Sequence, residues 1–307
     1  MNTATKLGAY GLVLAAALGG GAAIGGAAGP IEVDDAPAHD QHDPASTPDS
    51  GRASPDVGGL AVSDAGYRFV PEDRLADAGE FAFTIEGPDG SPATAFDVEH
   101  DKRLHLVVAS RDLRDYAHLH PNMDASGRWT VDLPELTPGA YRAFADFHPT
   151  GDDALTLGVD LTVPGTTPSA NSLVPSDVDR VDGYEVRIDG TPRAGSSSTL
   201  AVTVSRHEVP VTTDPYLGAR GHLVALRDGD LAYLHVHPLA DEADGQVRFT
   251  VEVPSPGIYA LFFDFAHDGA VHTARFVIDT DEAAPSPAPS GDDASDDHAG
   301  DPGHAHD

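Results

Sequence analysis

Two short phrases, Tyr116-Ala-His118-Leu-His120-Pro121 and Tyr233-Leu-His235-Val-His237-Pro238, stand 117 residues apart. A further histidine precedes each at the same distance: His105 lies 13 residues before His118, and His222 lies 13 before His235. A matching stretch follows each, Pro138-Gly-Ala-Tyr141 through Asp146-Phe147 and Pro256-Gly-Ile-Tyr259 through Asp264-Phe265, now offset by 118. The internal repeat thus preserves three histidines and one aspartate as well as apolar positions. Imidazole is the ligand of zinc, copper, iron and nickel, and a carboxylate serves as a further ligand or orients an imidazole from behind. The chemistry these residues could do is metal binding, twice over.

Composition narrows the metal. The chain has no cysteine, which excludes thiolate sites, and only two methionines, Met1 and Met123, which argues against a thioether-rich Cu(I) site. Mg(II) and Ca(II) prefer oxygen ligands and suit this set poorly. The net charge is −32, with Lys6 and Lys102 the only lysines. Such a surface repels nucleic acid and anionic headgroups and favours cations. An acidic, lysine-poor chain also resembles proteins of high-salt surroundings, where salt screens self-repulsion.

The elements that must position the ligands read as strands. Side chains i and i+2 of a strand share a face, about 6.5–7 Å apart. His118 and His120 therefore point the same way, as do His235 and His237. Pro121 and Pro238 end each strand, because proline donates nothing to the ladder. Upstream, Leu104-His105-Leu-Val-Val and Gly221-His222-Leu-Val-Ala read as buried strands. Downstream, Asp146 and Asp264 each sit between aromatics. A histidine or carboxylate in such a run needs a partner. If strand pairing brings them together, each repeat builds its own cluster: His105, His118, His120 and Asp146 in the first, His222, His235, His237 and Asp264 in the second. The plainer reading is a buried His–Asp hydrogen-bond network that pins strands and binds nothing. His148, two residues after Asp146 and therefore on the same face, and His267 read as optional additional ligands or as surface residues. His100, His207 and His272 read as optional ligands or surface residues. His39, His42, His298, His304 and His306 lie among aspartates in polar tails, a composition that binds transition metals loosely.

The repeats themselves read as all-β. Phe81–Glu86, Trp129–Leu133 and Leu200–Ser205 alternate apolar and polar residues, and Gly, Pro and Asp punctuate the chain every eight to twelve residues. Short strands at this spacing predict two tandem immunoglobulin-like β-sandwich repeats. The Pro-Gly-x-Tyr phrases resemble the tyrosine corner of such domains, which assigns Tyr141 and Tyr259 to structure. Residues 60–164 form the first repeat and 182–280 the second, joined by a linker over 165–181. Residues 1–29 contain an uncharged stretch, Leu7 to Gly29, long enough to span a bilayer, and read as a signal peptide or membrane anchor. Residues 30–59 and the tail 281–307 read as disordered acidic segments.

The Leu-His-Leu-Val-Val … Tyr-Ala-His-Leu-His-Pro and Gly-His-Leu-Val-Ala … Tyr-Leu-His-Val-His-Pro phrases resemble a group of secreted or membrane-anchored prokaryotic proteins. These carry His-x-His-Pro motifs on immunoglobulin-like modules and are heavy-metal or copper related. The resemblance covers about Leu60 to Thr280. It implies an extracytoplasmic module with His118, His120, His235 and His237 as the shared motif positions. Three functions follow. The first is a non-catalytic protein that buffers Cu(II) or Zn(II), or delivers it to a membrane transporter or metalloprotein. The second is a structural or adhesive surface protein whose His–Asp clusters only stabilise the sandwiches. The third is a copper or zinc metalloenzyme. No phosphate loop, Gly-x-Ser-x-Gly or His-Glu-x-x-His motif competes.

Overall fold

The computed structural model describes residues 57–280 apart from 77, 170–171, 235 and 240–244, and of residue 237 the backbone alone. The first repeat runs through β1 (Ser63–Asp64), β2 (Tyr67–Pro71), β3 (Gly79–Glu86), β4 (Leu104–Ser110), β5 (Tyr116–Leu119), β6 (Asn122–Met123), β7 (Arg128–Leu133), β8 (Gly139–Phe147) and β9 (Leu155–Val163). The second runs through β10 (Val178–Val181), β11 (Tyr184–Asp189), β12 (Ser197–Arg206), β13 (Val209–Pro210), β14 (His222–Arg227), β15 (Tyr233–Leu234), β16 (His237–Pro238), β17 (Val247–Glu252), β18 (Gly257–His267) and β19 (Ala270–Thr280). The strands form four antiparallel sheets. Their orders are β1-β2-β3-β7-β6 and β5-β4-β8-β9 in the first repeat, then β15-β14-β18-β19 and β10-β11-β12-β17-β16 in the second, with β13 on β12. Each repeat is thus an immunoglobulin-like sandwich of two sheets, as the alternation predicts.

Strand periodicity explains why β4 and β18 are so apolar. On β4, Leu104, Leu106 and Val108 face the sandwich core with Trp129 and Phe83. The alternate residues His105, Val107 and Ala109 face away from it. In most sandwiches that face would be wet. Here it is covered, and all seven residues of β4 are buried. Val107, Ala109 and Phe144 of the first repeat pack with Val224, Leu226, Tyr233, Ala260 and Phe262 of the second. The β5-β4-β8-β9 sheet therefore lies against the β15-β14-β18-β19 sheet, and a third core joins the two sandwiches. Tyr116 stacks on Phe262 at 4.0 Å between ring centres. The related pair, Tyr233 and Phe144, sits at 5.5 Å. The same patch of each repeat meets its counterpart, which is the isologous arrangement of a two-fold dimer within one chain.

Two boundaries differ from the sequence reading. Residues 57–59 belong to the fold rather than to a spacer. Gly58 bridges to Tyr233, and the Gly59 N–H donates to the Thr156 carbonyl at 2.8 Å. This backbone can approach because it lacks side chains: a Cβ on Gly59 would meet Phe144 at 2.5 Å. The buried Arg142 guanidinium donates to the carbonyls of Gly59 and Leu60, both at 2.8 Å. In the same way β10 lies inside the stretch read as a linker, and Ser176 bridges to Val277. Composition finds Pro, Ser and Asp there and misses a four-residue strand that is ordered by pairing. The segments 1–29, most of 30–59 and 281–307 lie outside the described residues. No helix among the described residues is long and apolar enough to cross a membrane.

Tyr141 and Tyr259 act as corner residues. The Tyr259 hydroxyl donates to the Ser255 carbonyl at 2.9 Å, and the Tyr141 hydroxyl lies 2.8 Å from the Thr137 carbonyl, each four residues upstream. Tyr259→Phe removes one buried hydrogen bond and leaves a carbonyl partnerless. We expect a loss of about 1 kcal/mol in denaturant unfolding, with the metal affinity discussed below unchanged. A loss of affinity would place Tyr259 in the site.

Candidate metal centre

Three histidines converge at the edge of the interface between the repeats. One nitrogen of each of His105, His118 and His120 lies within 4.8 Å of the others. Strand pairing sets this up: Val107 is opposite His118 on β5, so His105, on the same face of β4, falls opposite His120 just past the strand end. The ring centres stand 5.2, 5.1 and 4.9 Å apart, a nearly equilateral triangle. For an ion held tetrahedrally at about 2.0–2.1 Å from each nitrogen, imidazole centres stand about 5.2 Å apart.

Hydrogen bonds fix which nitrogens face inward. His105 Nε2 lies 3.2 Å from the Glu99 carbonyl. A carbonyl only accepts, so Nε2 carries the proton and Nδ1 holds the lone pair. His118 Nδ1 lies 2.8 Å from the Asp264 carboxylate, so Nδ1 carries a proton and Nε2 is the nitrogen turned inward. The two inward nitrogens, His105 Nδ1 and His118 Nε2, face each other at 3.0 Å. Lone pairs at that distance repel unless a proton or a cation lies between them. His120 Nε2 is buried and has no hydrogen-bond partner. A buried orphan nitrogen costs stability and calls for an explanation. A cation at the centre of the triangle supplies one for all three.

The carboxylate behind His118 corrects the sequence reading. Asp146 and Asp264 were each expected to serve their own repeat. Instead Asp264, only 2% exposed, reaches across from the second repeat to His118 of the first. Its other oxygen accepts from Thr273 Oγ1 at 2.5 Å. Tyr116 crosses the same way, its hydroxyl 3.4 Å from Asp264 Oδ2. Asp146 accepts from Thr156 at 3.0 Å and hydrogen-bonds Tyr233 of the other repeat. Asp264 thus serves His118 of the first repeat, where sequence order assigns it to the second.

His222 of the second repeat stands beside the triangle, 6.4 Å between ring centres from both His105 and His118. Its Nε2 lies 3.0 Å from the Tyr216 carbonyl, the same contact that His105 makes with Glu99, six residues upstream in each case. Matching turns hold the two carbonyls. Glu99 pairs with Lys102 and Tyr216 with Ala219, and His100, Asp101, Leu217 and Gly218 all have positive φ. A left-handed conformation at His100, Asp101 and Leu217 carries a steric cost that neighbouring packing must hold.

Burial and mutual repulsion favour the neutral form of His105, His120 and His222. Burial first, then the His118 ring, lowers His105 to about 4. Burial, then His118, His105 and Lys102, lowers His120 to about 3. Burial, then His100 and His118, lowers His222 to about 4 against the opposing effect of the Tyr216 carbonyl. Neutral imidazole is the form that binds metals. Burial pushes Tyr116 and Tyr233 well above the usual phenol range, with Asp264 and Asp146 adding to it, so both remain donors.

The remaining predicted ligands are elsewhere. His148 is engaged at both nitrogens, by the Glu99 carboxylate and the Asp152 carbonyl, each at 2.8 Å. It follows the end of β8, so its expected alignment with Asp146 is lost. His267 turns to the Tyr184 hydroxyl at 2.8 Å, and His272 to Asp182 at 2.8 Å. His207 sits in the turn after β12 with positive φ. His235 and the tail histidines His39, His42, His298, His304 and His306 lie outside the described residues, as does the His237 side chain. His100, read as an optional ligand or a surface residue, has its ring centre 5.1 Å from that of His222. Sequence reasoning passed over the Tyr116–Asp264 and Tyr233–Asp146 pairs. Their signal was the tyrosine that opens each repeated phrase.

A cavity of about 320 Å³ opens beside Asp146 and Glu99, lined also by Asp64, Thr156, Gly58 and Tyr233. None of the three histidines lines it.

Among known folds the chain is similar to a DUF4426 family protein of Pseudomonas aeruginosa PAO1, at 10% identity over 36% of this chain and 100% of that one, with a TM-score of 0.30. It is similar to the Escherichia coli adhesin FdeC, at 13% identity over 72% of this chain and 65% of the adhesin, with a TM-score of 0.22. It is also similar to invasin, a bacterial integrin-binding protein, at 14% identity over 71% of this chain and 39% of invasin, with a TM-score of 0.23. The chain thus spans less than two thirds of the adhesin and of invasin. No curated protein matches it. A domain of unknown function, DUF8832, matches twice, over residues 64–165 and 179–282, each match taking in one sandwich. Those two matches cover about two thirds of the sequence, and the chain belongs to the DUF8832 family.

Proposed function

We propose that the protein is an extracytoplasmic, non-catalytic transition-metal-binding protein that holds one ion on His105, His118 and His120 for buffering or delivery. One observation carries the reading: the outer nitrogens of His105 and His118 are tied to acceptors, so their other nitrogens converge beside the orphan Nε2 of His120. The triangle's spacing suits tetrahedral Zn(II) better than square-planar Cu(II), whose adjacent ring centres stand closer, at about 4.5 Å. The strongly acidic chain concentrates cations near the site. The uncharged stretch Leu7 to Gly29 supports a place outside the cytoplasm, where a membrane transporter or another metalloprotein would receive the ion. A metalloenzyme reading needs a substrate-sized space beside the ion, and the cavity beside Asp146 is not lined by the three histidines.

A second reading is favoured by the His118–Asp264 bond: a surface β-sandwich protein in which the cluster only fastens the repeats. Titration of the metal-stripped chain separates the two. Metal binding predicts about one tight equivalent of Zn(II) in calorimetry. It also predicts a stabilisation that grows with free ion, about 2.7 kcal/mol at a hundred times Kd. An unchanged melting temperature across that range leaves the fastening reading in place.

A further inference from the structure

We infer that the ion is shared between the two repeats, with His222 of the second repeat as its fourth ligand. The inference rests on the metal-binding reading above and adds a residue and a consequence to it. Three imidazoles leave a tetrahedral ion one open position. His222 approaches from the opposite sheet and faces His105 and His118 equally, at 6.4 Å from each. The three established centres lie 4.9 to 5.2 Å apart, so His222 stands 1.2 Å beyond the longest of them (6.4 against 5.2). Its proton is already placed. Nε2–H donates to the Tyr216 carbonyl, so Nδ1 holds the lone pair that would ligate the ion. The 8% exposure of His222 matches that of His105, its counterpart in the repeat.

The second repeat already contributes to the site, since Asp264 orients His118. A ligand from β14 completes a bridge in which one ion joins β4 and β5 to β14. Other contacts cross at the same interface: Tyr116 stacks on Phe262, and Arg275 donates to the Leu113 carbonyl at 3.1 Å. They hold the two sheets in contact; no His222 nitrogen lies within 4.8 Å of the ligand nitrogens of all three, so the ion draws His222 inward to close the fourth bond. Occupancy then clamps the repeats together, and the site exists only when both are docked.

The test uses the full metal-stripped chain with Zn(II), comparing the parent with His222→Ala and His222→Gln. The glutamine variant keeps an N–H donor for the Tyr216 carbonyl should the alanine variant fold poorly. Zinc-edge X-ray absorption counts imidazole ligands. Four in the parent and three in the folded variant, with affinity reduced at least about tenfold, supports the proposal. Three imidazoles in both, with equal affinity, overturns it. Two equivalents in the parent, with the variant losing one and leaving the other at full strength, also overturns it and assigns His222 to a separate site. No binding by the parent refutes the metal-binding reading itself, an outcome distinct from the others.

Discussion

The variant His120→Phe melts at or slightly above the parent temperature without metal and binds Zn(II) at least about 100-fold more weakly. The two effects have one origin. His120 Nε2 is buried with no hydrogen-bond partner, so the folded metal-free chain bears its desolvation cost with no return. Phenylalanine fills a similar volume against His105 and His118 and removes that cost. It also removes one of the proposed ligands. Loss of a residue that merely orients a ligand weakens metal binding about 10- to 100-fold, so loss of a ligand exceeds that range. A site kept only for stability gives a different pattern: His120→Phe then leaves Zn(II) behaviour untouched. His118→Ala is a poorer probe, because it also strips the buried Asp264 of its imidazole partner. Calorimetry and thermal melts on the two proteins, with and without chelator, decide between the outcomes.

Acid destabilises the metal-free chain, with an onset near pH 6.5. His105 and His222 sit at about 4 in the fold and His120 at about 3, all below the ordinary value of 6.5. Below about 6.5 the unfolded chain takes up protons that the folded cluster refuses, so the stability difference shrinks as pH falls. The contribution is fully present above about 6.5 and is lost progressively as the pH falls towards about 4. Each histidine that stays neutral in the fold steepens the dependence by up to about 1.4 kcal/mol per pH unit. Denaturant unfolding at pH 7.5, 6.5, 5.5 and 4.5 measures the slope. A chain equally stable from pH 7.5 to 4.5 contradicts the buried cluster. Bound Zn(II) competes with the same protons, so the loaded chain unfolds in a steeper transition at lower pH.

Much of the fold was legible because alternation at period two is a direct consequence of strand geometry, and the repeat supplied it twice. The triad was legible for the same reason: His118 and His120 share a face by spacing, and His105 shares a buried strand with Val107. The pairing of repeats was not. All seven residues of β4 are buried because a second sheet covers its outer face, and the sequence records only that the run is apolar. Long-range docking therefore decided which aspartate serves which histidine, and Asp264 went to His118. The carbonyls of Glu99 and Tyr216 were invisible for a different reason. Backbone groups carry no residue signature, and only the turns that aim them, through left-handed His100, Asp101 and Leu217, give them a role. His148 and His267 were misplaced because each lies at a strand end, where the alternation of faces stops and a nearby Glu99 or Tyr184 takes the imidazole.

The most direct measurement is the nitrogen spectrum of the histidine rings, recorded by NMR on the stripped chain before and after one equivalent of Zn(II). The account predicts that His105 keeps a protonated Nε2 and His118 a protonated Nδ1 throughout, while His105 Nδ1 and His118 Nε2 move from the free lone-pair position to the metal-bound one, together with one nitrogen of His120. Ring nitrogens that stay where they were on addition of Zn(II), Cu(II), Ni(II) or Fe(II) would contradict it.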